Sequence, residues 1–386
     1  VIYLTDYRTV CTENVHLLDD LEYPQRVHWF PESYAKVASG FAYAPHIVAS
    51  KLLEPALVES IKNRGGRTAF ILAAGNSHFA GINKDVPKTQ LSYTYKFAHL
   101  TLTQVYAGTL ARMFGAEDMV ITDASACASS LKVMMDVQML FAMYRFDRVI
   151  VLSVEDQVTN TVLKFFGESK AVLTKEQDDT GILPSAFDGV NYGFHIGQGA
   201  VLAVFENESH ASNPAARLVS SYNASEKATN AIGQREDGEG FIKAAHGALR
   251  HANLSPRHID VVKTHGTGTH SNNASERNAL KTLFDHHFVA TAFKPTIGHT
   301  MGASGLLETC LLLDSMKKGL VPAIANRTRR DHQYLSYPLE TTGQHTILSL
   351  AAGMGTFIQQ QFLTRKYENK NKNKIQNQCC GAQIIR

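Results

Sequence analysis

Three stretches of the chain set a nucleophile or a proton-handling side chain in a backbone suited to hold it. In VITDASACASSLKVMM (residues 120–135) an apolar, β-branched start runs into small residues around Cys127, and helical spacing follows. A cysteine thiol can attack a carbonyl and carry a covalent intermediate. At a helix N-terminus it faces free N–H groups and the positive end of the macrodipole, and both are expected to favour the thiolate. Taken alone, Cys127 reads equally well as a buried cysteine in a small-residue helix contact. His265 ends a strand-like run in HIDVVKTHGTGT, and His299 in KPTIGHTMGASG opens a long apolar helix. An imidazole exchanges protons near neutral pH. A lone histidine is more often a satisfied structural residue, but two of them after strand-type runs, together with a helix-capping cysteine, favour chemistry.

The elements around these stretches alternate. Residues 68–74 (TAFILAA), 148–154 (RVIVLSV) and 200–205 (AVLAVF) read as strands, the first two as buried on both faces. Further strands are expected at 1–5, 119–122, 215–222, 258–264, 288–291, 346–351 and 358–364. Apolar spacing predicts helices at 47–63, 101–114 (Leu102, Val105, Leu110 and Met113 inward), 238–251, 275–284 and 306–316. Residues 9–46 read as loop with one short helix. This alternation argues for α/β layers with a largely parallel core. The halves share a rhythm without a residue-level repeat. The Lys/Asn/Gln-rich residues 366–386 are expected to be disordered or loosely attached.

Composition narrows the function. The 386 residues are 44% hydrophobic and 19% charged, which suits a globular protein with a sizeable core. A net charge of +3 gives no argument for nucleic acid. No apolar run approaches the ~20 residues that cross a bilayer, and no signal-peptide pattern opens the chain. Cys11, Cys127, Cys310, Cys379 and Cys380 form neither a paired framework nor a metal-ligand spacing, so a reducing, cytoplasmic setting is expected. Asp285, His286 and His287 read as a solvated turn, and no metal site is expected. The basic run 326–331 (NRTRRD), with Lys317 and Lys318, reads more readily as a solvated face than as a dock for an acidic carrier protein.

In their order along the chain these motifs resemble those of the β-ketoacyl synthases, the thiolase-fold condensing enzymes of fatty acid and polyketide synthesis. ACASSL around Cys127 is similar to the nucleophile motif, THGTGT with His265 to the first histidine motif, and KPTIGHTMGASG with His299 to the second. Lys294 matches the family lysine, Glu308 its glutamate partner, and Glu276 the acidic residue after HGTGT. GESKAVLT (167–174) and FDGVNYGFHIGQGA resemble two consecutive family segments, and GMGT (353–356) resembles the closing GFGGT loop. The matches run from Ile71 to Leu363. Asn273 stands where the family usually has Asp, Asn191 and Tyr192 replace an Arg-Asp pair, and the GxGxVTPxG opening is absent. The gating phenylalanine becomes Met354, or Gly353 with a shift of one; Met354 keeps the following strand in register.

The resemblance implies an α/β thiolase fold with duplicated βαβαβαββ halves in αβαβα layers. The halves would be 1–206 with Cys127 and 207–365 with His265 and His299, followed by the tail 366–386. It implies decarboxylative Claisen condensation of a Cys127-bound acyl group with malonyl-acyl carrier protein; the departures at the gate and at Asn191 and Tyr192 lean towards specialised biosynthesis. Neutral His265 and His299 would donate to the enolate oxygen, and the N–H groups of Cys127 and the Gly353–Met354 loop would form the oxyanion hole. Lys294 and Glu308 would form a buried ion pair supported by Glu276. Phe165 and Phe166 are candidates for the acyl-pocket wall, with plain core packing as the alternative. No cofactor is implied, since substrates ride on phosphopantetheine. The implied partners are acyl carrier protein and a second subunit, in a homodimer or in a heterodimer with a related ketosynthase or chain-length factor; neither nucleic acid nor membrane is implied. Alternatives are an acyltransferase of the same fold and a non-catalytic partner subunit, which Cys127 argues against.

Overall fold

A strand without a polar face has to be covered on both sides, and the chain meets that demand by layering. The computed structural model describes residues 1–18, 25–28, 30, 52–75, 103–155, 158, 160–189, 193–227, 233–330, 332–354, 357–364 and 382–385. The first half contributes β1 (Ile2–Thr12), β2 (Val15–Leu18), β3 (Gln25–His28), β4 (Thr68–Ala73), β5 (Met119–Asp123), β6 (Arg148–Glu155), β7 (Ile196–Gly197) and β8 (Gly199–Asn207). The second contributes β9 (Ala216–Ser225), β10 (Val261–Lys263), β11 (Val289–Thr291), β12 (Leu320–Val321), β13 (Leu339–Glu340), β14 (Thr346–Gly353), β15 (Phe357–Thr364) and, from the tail, β16 (Ala382–Ile385). Between them run α1 (Pro55–Lys62), α2 (Thr103–Met113), α3 (Ser129–Tyr144), α4 (Asn160–Glu168), α5 (Lys175–Asp179), α6 (Glu239–Ala252), α7 (His270–Leu283), α8 (Lys294–Ile297) and α9 (Ser304–Lys317).

The topology exposes a duplication that residue identities conceal. The first half is ordered β5-β4-β6-β8-β1 and the second β11-β10-β14-β15-β9. In each, the two strands flanking the second-position strand run parallel to it, and the last two neighbours pair antiparallel. β1 and β9 pair at their edges, Ile2 opposite Leu218, and join the halves. The helices form three layers. α3 contacts β4 and β6 of its own half and β9 and β15 of the other, while α9 contacts β10 and β14 together with β1 and β8. These two helices are therefore the middle layer, and α2 and α6 cover the outer faces. Three apolar clusters correspond to these layers: one around Leu131, Met134, Leu306 and Leu312, one beneath α2, and one beneath α6.

Several expectations change. β1 continues to Thr12, and β2 and β3 occupy part of what reads as loop. Helix α1 begins only at Pro55, because proline fixes a first helical turn. Met113 is exposed, and Tyr106 and Ala107 pack inward instead; Leu102 lies outside the described residues, as do Asn191 and Tyr192. The tail contributes β16, parallel to β1 with Thr9 opposite Ala382. Residues 126–144 are also long and apolar enough to cross a bilayer by length and composition, with half of that window buried inside the protein. That hydrophobicity serves the middle layer, where a helix touches protein on several sides.

α3 and α9 meet at a bare backbone. A Cβ on Gly305 would fall 2.5 Å from Leu131 Cγ, and Leu306 N–H donates to Ser130 Oγ at 3.1 Å. Substituting Gly305→Leu is expected to destabilise the protein by about 1–3 kcal/mol through overpacking. Gly108, in α2, has open space around it, so Gly108→Ala should instead add roughly 0.5–1 kcal/mol. Urea denaturation midpoints of the two variants against the parent check both signs.

Candidate active site

In each half a tight turn opens a middle-layer helix. After β5, residues Ala126–Ala128 form a 3-10 turn with Ala126 at φ 48, and α3 follows from Ser129. After α8, residues Met301–Ala303 form the matching turn with Met301 at φ 40, and α9 follows from Ser304. The helix openings agree closely, with Ser129 at φ −48, ψ −51 and Ser304 at φ −48, ψ −49. Neither Ala126 nor Met301 is a glycine, so each left-handed step costs energy that the surrounding packing has to offset.

The duplicated turns bring the separated motifs together. Cys127, His265, His299, Gly353 and Met354 line one cavity of about 340 Å³, with Phe166 and Phe194 on its apolar side and Thr267, Thr269 and Asn272 on its polar side. The His265 and His299 rings meet edge to face with centroids 5.6 Å apart, and Phe194 stands edge-on to His299 at 4.9 Å. Ser304 Oγ lies 2.9 Å from His299 Nδ1 and 3.1 Å from Thr300 Oγ1. The His299 backbone is held by His195 O and Gly197 N–H. Gly353 closes the opposite side; a Cβ there would come within 2.8 Å of Ser125 O. Phe166 is buried, whereas Phe165 is 44% exposed and lies outside the cavity. Consecutive helical residues point in different directions, so only one of the two can face inward.

Beneath His265 lies a group of buried charges. Lys294 Nζ donates to Glu308 Oε1 at 2.8 Å and also to His265 O. Lys263 Nζ donates to Glu308 Oε2 at 3.0 Å and to Leu350 O at 2.8 Å. Glu276 accepts from His265 N–H at 2.6 Å and Gly266 N–H at 2.8 Å. The sequence reading finds Lys294, Glu308 and Glu276 and misses Lys263. Its signal is a lysine closing the otherwise apolar run VVK, a place where a charge is either exposed or paired. Asn273 accepts from Phe187 N–H, and Arg327 of the basic run is buried, donating to Tyr334 O and Phe187 O. Asp188 accepts from Thr328 and Arg329. Part of that basic run is therefore fastened to the loop that carries Phe187, not a purely solvated face.

Burial dominates the electrostatics. It pushes the Cys127 thiol up to about 12, against the pull of Lys294, so the resting residue is a thiol and not the thiolate expected of a helix N-terminus. Burial, with Lys294 and Lys263 nearby, holds both imidazoles well below their usual value and therefore neutral. Glu276 is pushed up to about 7 by burial, opposed by its two backbone donors. Among the described residues no group of three or more His, Cys, Asp or Glu could hold a metal ion.

A buried thiol beside two neutral imidazoles, set in paired turns of a duplicated five-layer α/β fold of the thiolase class, forms the candidate active site. The chain belongs to the β-ketoacyl synthase family: residues 14–211 match the model of the β-ketoacyl synthase N-terminal domain, and residues 215–328 match that of the C-terminal domain. A Streptomyces cyaneus protein that carries the name polyketide β-ketoacyl synthase 1 is 28% identical over 67% of this chain and 63% of its own length. The mitochondrial 3-oxoacyl-[acyl-carrier-protein] synthase of Arabidopsis thaliana is 27% identical over 58% of this chain and 50% of its own. The chain thus spans between half and two thirds of these relatives. Among solved structures, a ketosynthase in complex with its acyl carrier protein superposes with a TM-score of 0.76 at 17% identity, covering 95% of this chain and 99% of the other. A Xenorhabdus doucetiae ketosynthase in complex with its chain length factor gives 0.74 at 19%, covering 94% and 98%.

A thiol titrating near 12 should react with iodoacetamide ever faster as pH rises, because the thiolate fraction keeps growing. The expected rate of Cys127 modification climbs about tenfold per pH unit to about pH 10 without levelling. Peptide mass spectrometry across pH checks this, and a plateau below pH 8 would mean that the helix terminus outweighs burial.

Proposed function

We propose that this chain is a β-ketoacyl synthase that condenses an acyl group held on Cys127 with a malonyl unit delivered on acyl carrier protein. The observation that carries the reading is the meeting of Cys127, His265 and His299 in one cavity above the buried Lys294–Glu308 pair.

Cys127 Sγ attacks the carbonyl of an acyl thioester. The C–S bond to the carrier's phosphopantetheine breaks, and the thiol proton leaves with the departing sulfur. The backbone N–H groups of Cys127 and the Gly353–Met354 loop serve the acyl oxygen, as expected from the resemblance. Malonyl carrier protein then enters. Loss of CO2 leaves an enolate whose oxygen needs donors without a full positive charge that would hold the carboxylate back. Neutral His265 and His299 fit that requirement. Taking Ser304 Oγ, 2.9 Å away, as the donor to His299 Nδ1 puts the His299 ring proton on Nε2. The carbanion attacks the acyl carbonyl, the C–S bond to Cys127 breaks, and the released Cys127 thiolate takes a proton from solvent water. The 3-oxoacyl product departs on the carrier. Phe166 and Met354 border the acyl end of the cavity.

Acyl carrier protein is the partner this reading requires, without a resident cofactor. A second subunit, either another copy or a chain-length-factor type, accords with the resemblance. The setting is a cytoplasmic one, in fatty acid or polyketide-type and more specialised biosynthesis.

Intact mass after incubation with acyl carrier thioesters is expected to show one acyl adduct, absent from Cys127→Ala. Adding malonyl carrier protein should yield the 3-oxoacyl product. His265→Ala and His299→Ala should keep the adduct while condensation falls by about 10²–10³-fold. An adduct that never condenses would favour an acyltransferase, and an adduct on Cys379 or Cys380 would defeat the assignment of Cys127.

A further inference from the structure

Lys263 is the one member of the buried charge group that no motif marks. It ends β10, two residues before His265, and its side chain is fully buried. A lysine there has to be paired, because an unpaired ammonium inside a protein is strongly disfavoured. Its partner is a carboxylate that already has one: Glu308 presents Oε1 to Lys294 and Oε2 to Lys263. Two ammonium groups on one carboxylate leave an excess positive charge. The groups that face His265 are Lys263 on β10, Glu276 on α7, Lys294 on α8, Glu308 on α9, and His299 and Cys127 across the cavity, with Glu155 of β6 beyond Cys127. The negative countercharge closest to the histidine is Glu276, whose oxygens are bound to backbone N–H groups and not to an ammonium.

From this geometry we propose that Lys263 is a positioning residue for the condensation step. It clamps Glu308 so that Lys294 stays on the His265 carbonyl, and it supplies the second positive charge that keeps the two imidazoles unprotonated. The proposal rests on the condensing-enzyme reading for its consequence, since neutral donors matter only if an enolate oxygen forms between them. Its physical content is independent of that reading: a charge removed at Lys263 must be felt at His265 and His299. Both imidazoles are held down by burial first and by Lys294 next; Lys263 acts in the same sense on both, after His299 in the case of His265.

Two variants separate charge from packing. Lys263→Gln keeps an N–H donor towards Glu308 and loses the charge; Lys263→Arg keeps the charge. Histidine ring signals from 15N-labelled protein, assigned with His265→Ala and His299→Ala, are titrated in the parent and both variants, with thermal melts to establish folding. Removing a nearby positive charge makes an imidazole easier to protonate, so Lys263→Gln should move at least one of the two transitions up by about a pH unit or more. Lys263→Arg should keep them low. In condensation assays the acid limb of kcat should move up in the Gln variant and return in the Arg variant. Unmoved histidine transitions in folded Lys263→Gln would overturn the proposal, as would a uniform loss of kcat at every pH. If neither variant folds, the same titration compares Glu308→Gln with Glu308→Gln/Lys263→Met, which differ by the one positive charge, and the same upward shift is expected between them. If the parent shows shifted transitions but no condensation, the functional reading fails and the Lys263 assignment stands.

Discussion

A carboxylate shared by two ammonium groups, inside a protein and almost without exposure, is an expensive arrangement. Desolvation of three charges is offset only if each finds its partner at good distance, and removing one partner leaves a buried charge uncompensated. Glu308 belongs to the middle-layer helix α9, Lys294 to the short helix before it and Lys263 to a strand of the second half. The contacts at 2.8 and 3.0 Å therefore fix three separate elements relative to one another. Lys294 also reaches the His265 carbonyl while Glu276 takes its N–H, so the backbone of that histidine is held at both ends. The side chain can then face the cavity with Nδ1 unpartnered by protein among the described residues.

The duplication explains why a thiol and an imidazole from distant parts of the chain come to face one cavity. Each half carries a turn of the same conformation at the head of a middle-layer helix, and the two turns are in contact. In one turn the residue after the left-handed step is Cys127; in the other it is Gly302. A side chain at Gly302 would fall 2.4 Å from Gly75 N and 2.8 Å from Glu155 Oε1. The second half therefore cannot repeat a cysteine there, and the side chain it presents to the cavity lies earlier, at His299. The symmetry of the fold supplies the convergence, and this steric asymmetry supplies two different functional groups.

What was legible in the sequence follows from how local each signal is. Cys127, His265 and His299 stand in small-residue turns after apolar runs, so their backbone setting can be read within a few residues. The strands β4 and β6 are buried throughout and read as unbroken apolar runs. β2 and β3 do not, because they form a separate small sheet whose apolar contacts come from distant segments such as Ile196. Lys263 and Arg327 were hidden for a common reason: charge in sequence suggests solvent, while both side chains turn inward to partners remote in the chain. Phe165 and Phe166 differ only in helical phase, which a short segment with two adjacent aromatics leaves open.

The same burial that lowers the imidazoles raises the thiol, and the consequence for chemistry is specific. An exposed Cys–His pair can rest as thiolate and imidazolium. In this site both charged forms are penalised: Cys127 is pushed up to about 12 and both histidines are held well below their ordinary value. The lysines beneath act on the two groups in opposite senses: they add to the penalty on an imidazolium, whereas Lys294 only partly offsets the burial that disfavours the thiolate. The resting pair is therefore neutral, and the cavity carries no negative charge of its own on these side chains. A cavity with uncharged donors above a net positive base stabilises a negative charge that forms in it and holds no standing counterion in its place.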